Sequence, residues 1–124
     1  MKELIEEVRQ IAFGVHVYLS NGYLEKVYEK CLCHRLQKAG HKVETQKSLK
    51  VFDEDGFELG EYFADLVVDD KLIVELKAVK ALTGEHLSQV INYLKIAGCE
   101  KALLVNFGSY RFQARTVTLG CAAE

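Results

Sequence analysis

Asp65, Glu75 and Lys77 stand inside two strongly apolar stretches, Tyr62 to Val68 and Leu72 to Val79, which only Asp69, Asp70 and Lys71 separate. Short apolar runs on either side of a polar turn read as the two strands of a hairpin. Side chains alternate along a strand, so Ile73, Glu75, Lys77 and Val79 share one side, and Leu72, Val74, Leu76 and Ala78 the other. A connection that leaves Val68 opposite Leu72 also sets Asp65 directly opposite Glu75. A loop of even length would instead put the two acids on opposite faces. Like charges facing each other across a ladder repel, and a buried unpaired carboxylate is costly unless it takes up a proton. A divalent cation held between the acids removes both difficulties. An internal network in which Lys77 neutralises one acid leaves the other uncompensated.

Periodicity supplies the elements around this hairpin. Leu4, Ile5, Val8, Ile11, Ala12 and Val15 predict an amphipathic helix over Met1 to Leu19, broken at Ser20-Asn21-Gly22. A second helix, Tyr23 to Ala39, ends at Gly40, which suits a left-handed cap. His41 to Phe52 and Phe57 to Val68 read as strands joined through the turn Asp53-Glu54-Asp55-Gly56, and Leu72 to Val79 as the third strand. Thr83-Gly84 introduces a helix, Glu85 to Ala97, with Leu87, Val90, Ile91 and Leu94 as its core stripe and Gly98 as its stop. Lys101 to Phe107 has the continuous apolar character of an interior strand, and Arg111 to Leu119 reads as an edge strand or a tail. The order is ααβββαβ. A helical crossover makes the fourth strand parallel to the third, which gives an α/β (α+β) fold with a mixed central sheet flanked by helices. Residues 1–124 are expected to form a single domain, without repeat, linker or proline.

Hydrophobic residues at 49% and charged residues at 27% exclude a disordered or fibrous chain. A net charge of −2 does not mark a nucleic-acid binder by bulk electrostatics. The stretch Lys26, Lys30, Arg35, Lys38, Lys42, Lys47 and Lys50, set against Glu29 and Glu44, is either a basic flank or a solvated face. No apolar stretch is long enough to cross a bilayer, and the acidic start Met1-Lys2-Glu3-Leu4-Ile5-Glu6-Glu7 lacks the form of a secretory signal. A cytoplasmic protein with no membrane association is expected. Cys31, Cys33, Cys99 and Cys121 show no paired spacing and are expected as reduced thiols. Cys31-x-Cys33-His34 is a poor zinc site because a helix turns residues two apart onto different faces, and Cys31 suits core filling. His16, His34, His41 and His86 have no ligand spacing, which leaves them surface or packing roles, although His86 lies on the side of Gln89.

An aspartate on one strand, Glu-x-Lys about ten residues later, then a helix and a strand resembles the PD-(D/E)XK nuclease superfamily. The motif stands here as Asp65 and Glu75-Leu76-Lys77, with Ala64 where a proline usually precedes the aspartate. Gln89-Val90-Ile91-Asn92-Tyr93 is similar to the QxxxY motif of RecB-type members. Gln89 and Tyr93 share a helix face beside the apolar stripe, opposite the wetter Ser88, Asn92 and Lys95, so they border a site or simply form a rim tyrosine packed on a solvated glutamine. Gly22-Tyr23-Leu24-Glu25-Lys26-Val27-Tyr28 fits the GxxExxY signature of a bacterial and archaeal family. Together the resemblances extend from about Asn21 to Phe107. Apart from any family, Glu25 shares a stripe with Tyr28, Leu32 and Leu36, which aims a carboxylate inward. A capping box closing back on Gly22 is the alternative.

The resemblance implies a restriction-endonuclease-like core that hydrolyses phosphodiester bonds, in DNA, with Mg²⁺ or Mn²⁺. It implies that Asp65, Glu75 and the carbonyl of Leu76 ligate the ion, with Glu25 supporting it from the second helix. Lys77 would orient the attacking water, Gln89 hold that water or a phosphate oxygen, and Tyr93 pack or bond beneath. Beside this stands a second reading, a non-catalytic nucleic-acid-binding or protein-assembly module that retains the nuclease fold. The small size and net acidity favour a homodimer or a protein partner under either reading.

Overall fold

Alternation and helical spacing resolve into α1 (Lys2–Leu19), α2 (Glu25–Lys38), β1 (Val43–Phe52), β2 (Glu58–Val68), β3 (Leu72–Lys77), α3 (Gly84–Ala97), β4 (Lys101–Asn106) and β5 (Gln113–Thr118) in the computed structural model. The structure describes residues 1–120, so Cys121 lies outside the described residues. The strands form one sheet in the order β1-β2-β3-β4-β5. β3 and β4 run parallel and the other neighbours antiparallel, as the helical crossover demands. β5 takes up the edge that was expected as strand or tail. Gly40 and Gly98 follow α2 and α3 with φ of 93° and 68°, the left-handed conformation in which a glycine stops a helix without strain.

Two apolar layers sandwich the sheet. Ile5, Val8, Ala12 and Val15 of α1, with Tyr28, Leu32 and Leu36 of α2, pack on Leu72, Val74 and Leu76 of β3 and on Leu103 and Val105 of β4. On the other face Val90, Tyr93 and Leu94 of α3 pack on Val67, Ile73, Ala102 and Leu104. β3 therefore splits between the faces as its alternation requires, with Ile73 on the α3 side. The Tyr28 ring stacks on Phe107 with centroids 4.8 Å apart, tying the start of α2 to the end of β4.

β2 is longer than β3. It pairs with β3 only at Leu66, Val67 and Val68, whereas its pairing with β1 continues as far as Glu58. The outer part of the β1–β2 hairpin is thus an arm beyond β3, carrying exposed Phe52, Phe57, Leu59, Tyr62 and Phe63. The β2–β3 connection is tight, with the Lys71 N–H donating to the Val68 carbonyl at 3.0 Å. Asp69 and Asp70 both lie at positive φ, 53° and 58°, a conformation that short polar side chains tolerate.

Candidate active site

The short turn sets the register Val68↔Leu72, Val67↔Ile73 and Leu66↔Val74, which puts Asp65 opposite Glu75. Main-chain pairing stops there and the acid side chains take its place. The Asp65 N–H donates to Glu75 Oε1 at 2.7 Å, and the Leu76 N–H donates to Asp65 Oδ2 at 2.9 Å. Two N–H groups that the diverging strands would leave without partners are thereby satisfied. Packing changes phase at the same point, since Ala64 joins the α3-side layer while Leu66, two residues on, joins the other. Glu75 is only 3% exposed. Burial, and then repulsion from Asp65, pushes its carboxyl up to about 8 against the opposing pull of the Asp65 N–H and the Lys77 ammonium. Without a cation, the pair therefore resolves its repulsion by keeping a proton on Glu75 near neutral pH.

Lys77 Nζ donates to Gln89 Oε1 at 3.1 Å, so the last residue of β3 is tied to α3 beside the acids. Tyr93, one turn further along α3, is 6% exposed, and its ring centroid lies 5.9 Å from that of Tyr62. Burial raises its hydroxyl pKa, and the charges of Glu75 and Asp65 raise it further, which places the phenol within their field. Ser88 and Asn92 do not face away, as the helical wheel predicts. They share with Gln89 and Tyr93 the groove under the β1–β2 arm.

Glu25 departs from expectation. It is the first residue of α2, where the helix has run past its apolar floor, so it lies exposed at the lip and not inward among apolar neighbours. Partial desolvation, then repulsion from Asp65, raises its carboxyl pKa, while Lys77 lowers it, so it belongs to the electrostatics of the site. The capping box back to Gly22 does not form, because Leu24 is the N-cap and no side chain caps the helix. Tyr28 instead ties down the preceding loop, its hydroxyl donating to the Ser20 carbonyl at 2.6 Å and accepting from the Tyr23 N–H at 3.1 Å.

The acid on the buried face of α2 is Glu29, 6% exposed and one turn beyond Glu25. Gln46 joins it to the site, since its Nε2 donates to Glu29 Oε1 at 2.9 Å and to Asp65 Oδ1 at 3.1 Å. Both amide hydrogens are thus used, and Gln46 has a φ of 49°, a strained conformation for a residue of this type. Neither Glu29 nor Gln46 was predicted. The spacing of Glu29 four residues after Glu25 was a readable signal, whereas nothing local marks Gln46.

No motif marks Asn106 either, although a fully buried amide inside the run Lys101 to Phe107 demands partners. It stands level with Lys77 in the parallel register. Its Oδ1 accepts from the Val79 and Gly108 N–H groups at 3.0 Å each, and its Nδ2 donates to the Val79 carbonyl at 2.9 Å and to Gln113 Oε1 at 2.8 Å. Gly108 completes this clamp on the chain leaving Lys77. A Cβ at that position would fall 2.2 Å from the Val79 nitrogen.

The stretch from Lys26 to Lys50 is no bare basic flank. Lys26 pairs with Glu29, Lys42 with Asp70, Lys47 with Glu44 and Lys50 with Glu58, and the Arg35 guanidinium lies over the Tyr18 ring. His41 and His86 are structural. His86 Nδ1 accepts from the Thr83 N–H at 3.0 Å in a capping box that starts α3. Cys31, Cys33 and Cys99 are free thiols, and burial followed by Glu29 pushes the Cys33 thiol up, away from the thiolate that zinc would require.

No group of three His, Cys, Asp or Glu side chains among the described residues is arranged to hold a metal ion. What the site offers is two opposed carboxyl groups, a donor set that fits a hard cation retaining several waters. Among the described residues, no helix is long and apolar enough to cross a membrane.

The profile of the PD-(D/E)XK nuclease superfamily matches residues 2–117. Among solved structures, the crystal structure of SSO0001 is similar with a TM-score of 0.60 and 20% identity, over 76% of this chain and 49% of that one. That likeness is one of fold, and the chain spans about half the length of the protein it matches. No curated protein matches the chain. The order of elements, the mixed sheet and the extent of the profile match lead to one conclusion: the chain belongs to the PD-(D/E)XK nuclease superfamily.

Proposed function

We propose that the chain is a divalent-metal-dependent nuclease that hydrolyses phosphodiester bonds in DNA, with Mg²⁺ or Mn²⁺ held by Asp65, Glu75 and the Leu76 carbonyl. The observation that carries this reading is the opposed pair Asp65 and Glu75, at the divergence of β2 and β3, with Lys77 and Gln89 in contact beside it. When bound, such an ion lowers the pKa of its water and stabilises charge developing on the phosphate. Lys77, steadied by Gln89, donates to the attacking water or to a phosphate oxygen. Tyr93 closes the floor beneath them. Glu25 at the lip supports the site through water, and Glu29 with Gln46 sets the orientation of the Asp65 carboxylate.

Residues 1–124 act as one nuclease domain in the cytoplasm. Gly22, Glu25 and Tyr28 support the GxxExxY grouping within the superfamily, with Tyr28 as the latch on the loop before α2. The net charge of −2 favours action as a homodimer or with a protein partner.

Plasmid and oligonucleotide cleavage in Mg²⁺, Mn²⁺ or chelator tests the proposal. The expected result is metal-dependent cleavage by the wild type that Asp65→Ala and Lys77→Ala both lose. Absence of cleavage with salt-sensitive binding preserved would overturn it in favour of the non-catalytic module.

A further inference from the structure

The arm of β1 and β2 and the outer face of α3 enclose a groove of about 1140 Å³ that shares Gln89 and Tyr93 with the acid site. A molecule whose phosphate sits at Lys77 must lay its neighbouring part there. Tyr62 rises from β2 against Tyr93 and keeps half its surface open, so one aromatic face is free to stack. Val51 and Leu59 supply apolar wall, and Thr83, Ser88 and Asn92 supply uncharged hydrogen-bonding groups. Glu85 and Lys95 are the charged residues in the lining, one of each sign, so the groove has no net attraction for phosphate.

We infer that this groove takes an unpaired nucleobase flanking a phosphate at Lys77, so that the strand enters single-stranded. The inference rests on the nuclease reading and narrows its substrate. Aromatic faces stack any base regardless of sequence, and amide and hydroxyl groups answer the polar edge of a base that has lost its pairing partner. A duplex keeps its base faces covered and presents phosphates, for which the groove has no excess of cations. The cations of β1 do not fill that role either, since Lys47 pairs with Glu44 and Lys50 with Glu58.

Fluorescence anisotropy of a short labelled single-stranded DNA, and of its blunt duplex, measures this with the full chain at pH 7 in chelator, where no metal-dependent cleavage intervenes. The single strand is expected to bind more tightly than the duplex. Tyr62→Ala should weaken single-strand binding by about fivefold or more, the loss of one stacked base. Tyr62→Phe should retain binding, because the ring and not the hydroxyl makes the contact, and Leu59→Glu, on an exposed wall residue, should weaken it. Equal affinity for the duplex, an unaffected Tyr62→Ala variant or no single-strand binding by the wild type would each overturn the inference. So would a dimer that Tyr62→Ala dissolves while single-strand binding stays intact, since the groove would then be covered by a second copy. Failure of the nuclease reading is separate, appearing as absent metal-dependent cleavage while these binding differences persist.

Discussion

Asp65 and Glu75 oppose each other just beyond the last ladder pair of β2 and β3, and the Asp65 N–H donates to Glu75 Oε1 at 2.7 Å. One carboxylate thus does the work of a missing main-chain acceptor while standing in the field of the other. The proton balance of the metal-free protein follows from that geometry.

Glu75 has a folded pKa of about 8 against an ordinary value of 4.5, so between those limits the folded protein holds a proton that the unfolded chain releases. Stability must then fall as pH rises through that window, by on the order of a few kcal/mol. Urea unfolding in chelator at pH 5 and pH 8.5 should show the decline in the wild type and a much flatter profile in Glu75→Gln. Parallel profiles would contradict the assignment.

His41 gives the opposite kind of linkage to the one its neighbour Asp69 gives. Its Nδ1 and Nε2 lie 2.7 Å from Asp69 Oδ2 and 2.6 Å from Glu7 Oε2, and carboxylates only accept, so both ring nitrogens carry protons. The Asp69 hydrogen bond is the main cause of the raised His41 pKa. A raised folded pKa stabilises fully below the ordinary value near 6.5 and is lost as pH rises through the folded value. Asp69, lowered chiefly by His41, stabilises above its ordinary 3.8 and loses that contribution as pH falls through its folded value. His41→Gln should therefore be less stable than wild type at pH 6, by no more than about 1 kcal/mol given the exposure of the acids, with the difference shrinking at pH 9. Chemical denaturation at the two pH values distinguishes the cases.

Gln46 holds Asp65 from the far side. Gln46→Ala should lower the apparent affinity for Mn²⁺ by roughly 10- to 100-fold, the usual consequence of removing a group that orients a ligand. Gln46→Glu should be worse, because it adds a third carboxylate against Glu29 and Asp65. The metal dependence of cleavage reads the effect, and an unchanged metal midpoint in Gln46→Ala would refute the role.

Asn106 and Gly108 predict a loss of stability. Asn106→Leu leaves the Val79 N–H and carbonyl, the Gly108 N–H and Gln113 without their partner, and should cost about 3 kcal/mol or more. Gly108→Ala should unfold at distinctly lower denaturant, because backbone stands where its methyl must go. Denaturant midpoints within error of wild type would show that the clamp is dispensable.

Much of this was legible in the chain because its causes are local. Helical spacing, Gly40 and Gly98 located the helices, and the short loop at Asp69, Asp70 and Lys71 set the register that opposes Asp65 and Glu75. What escaped is long-range or depends on where an element ends. A helical wheel does not show that α2 begins at Glu25, so it could not tell an exposed lip from the buried position of Glu29. Gln46 has its role only where β1, α2 and β2 converge, and Lys42 and Lys50 are paired by Asp70 and Glu58, which are remote in sequence.

Titration calorimetry with Mn²⁺ at pH 7, in two buffers of different ionisation enthalpy, tests most directly whether the opposed acids take a dication. Binding should release about one proton per ion, since Glu75 must give up the proton it holds, and Glu75→Gln should abolish that release. Absence of Mn²⁺ heat in the wild type, or undiminished binding by Asp65→Ala, would contradict the account.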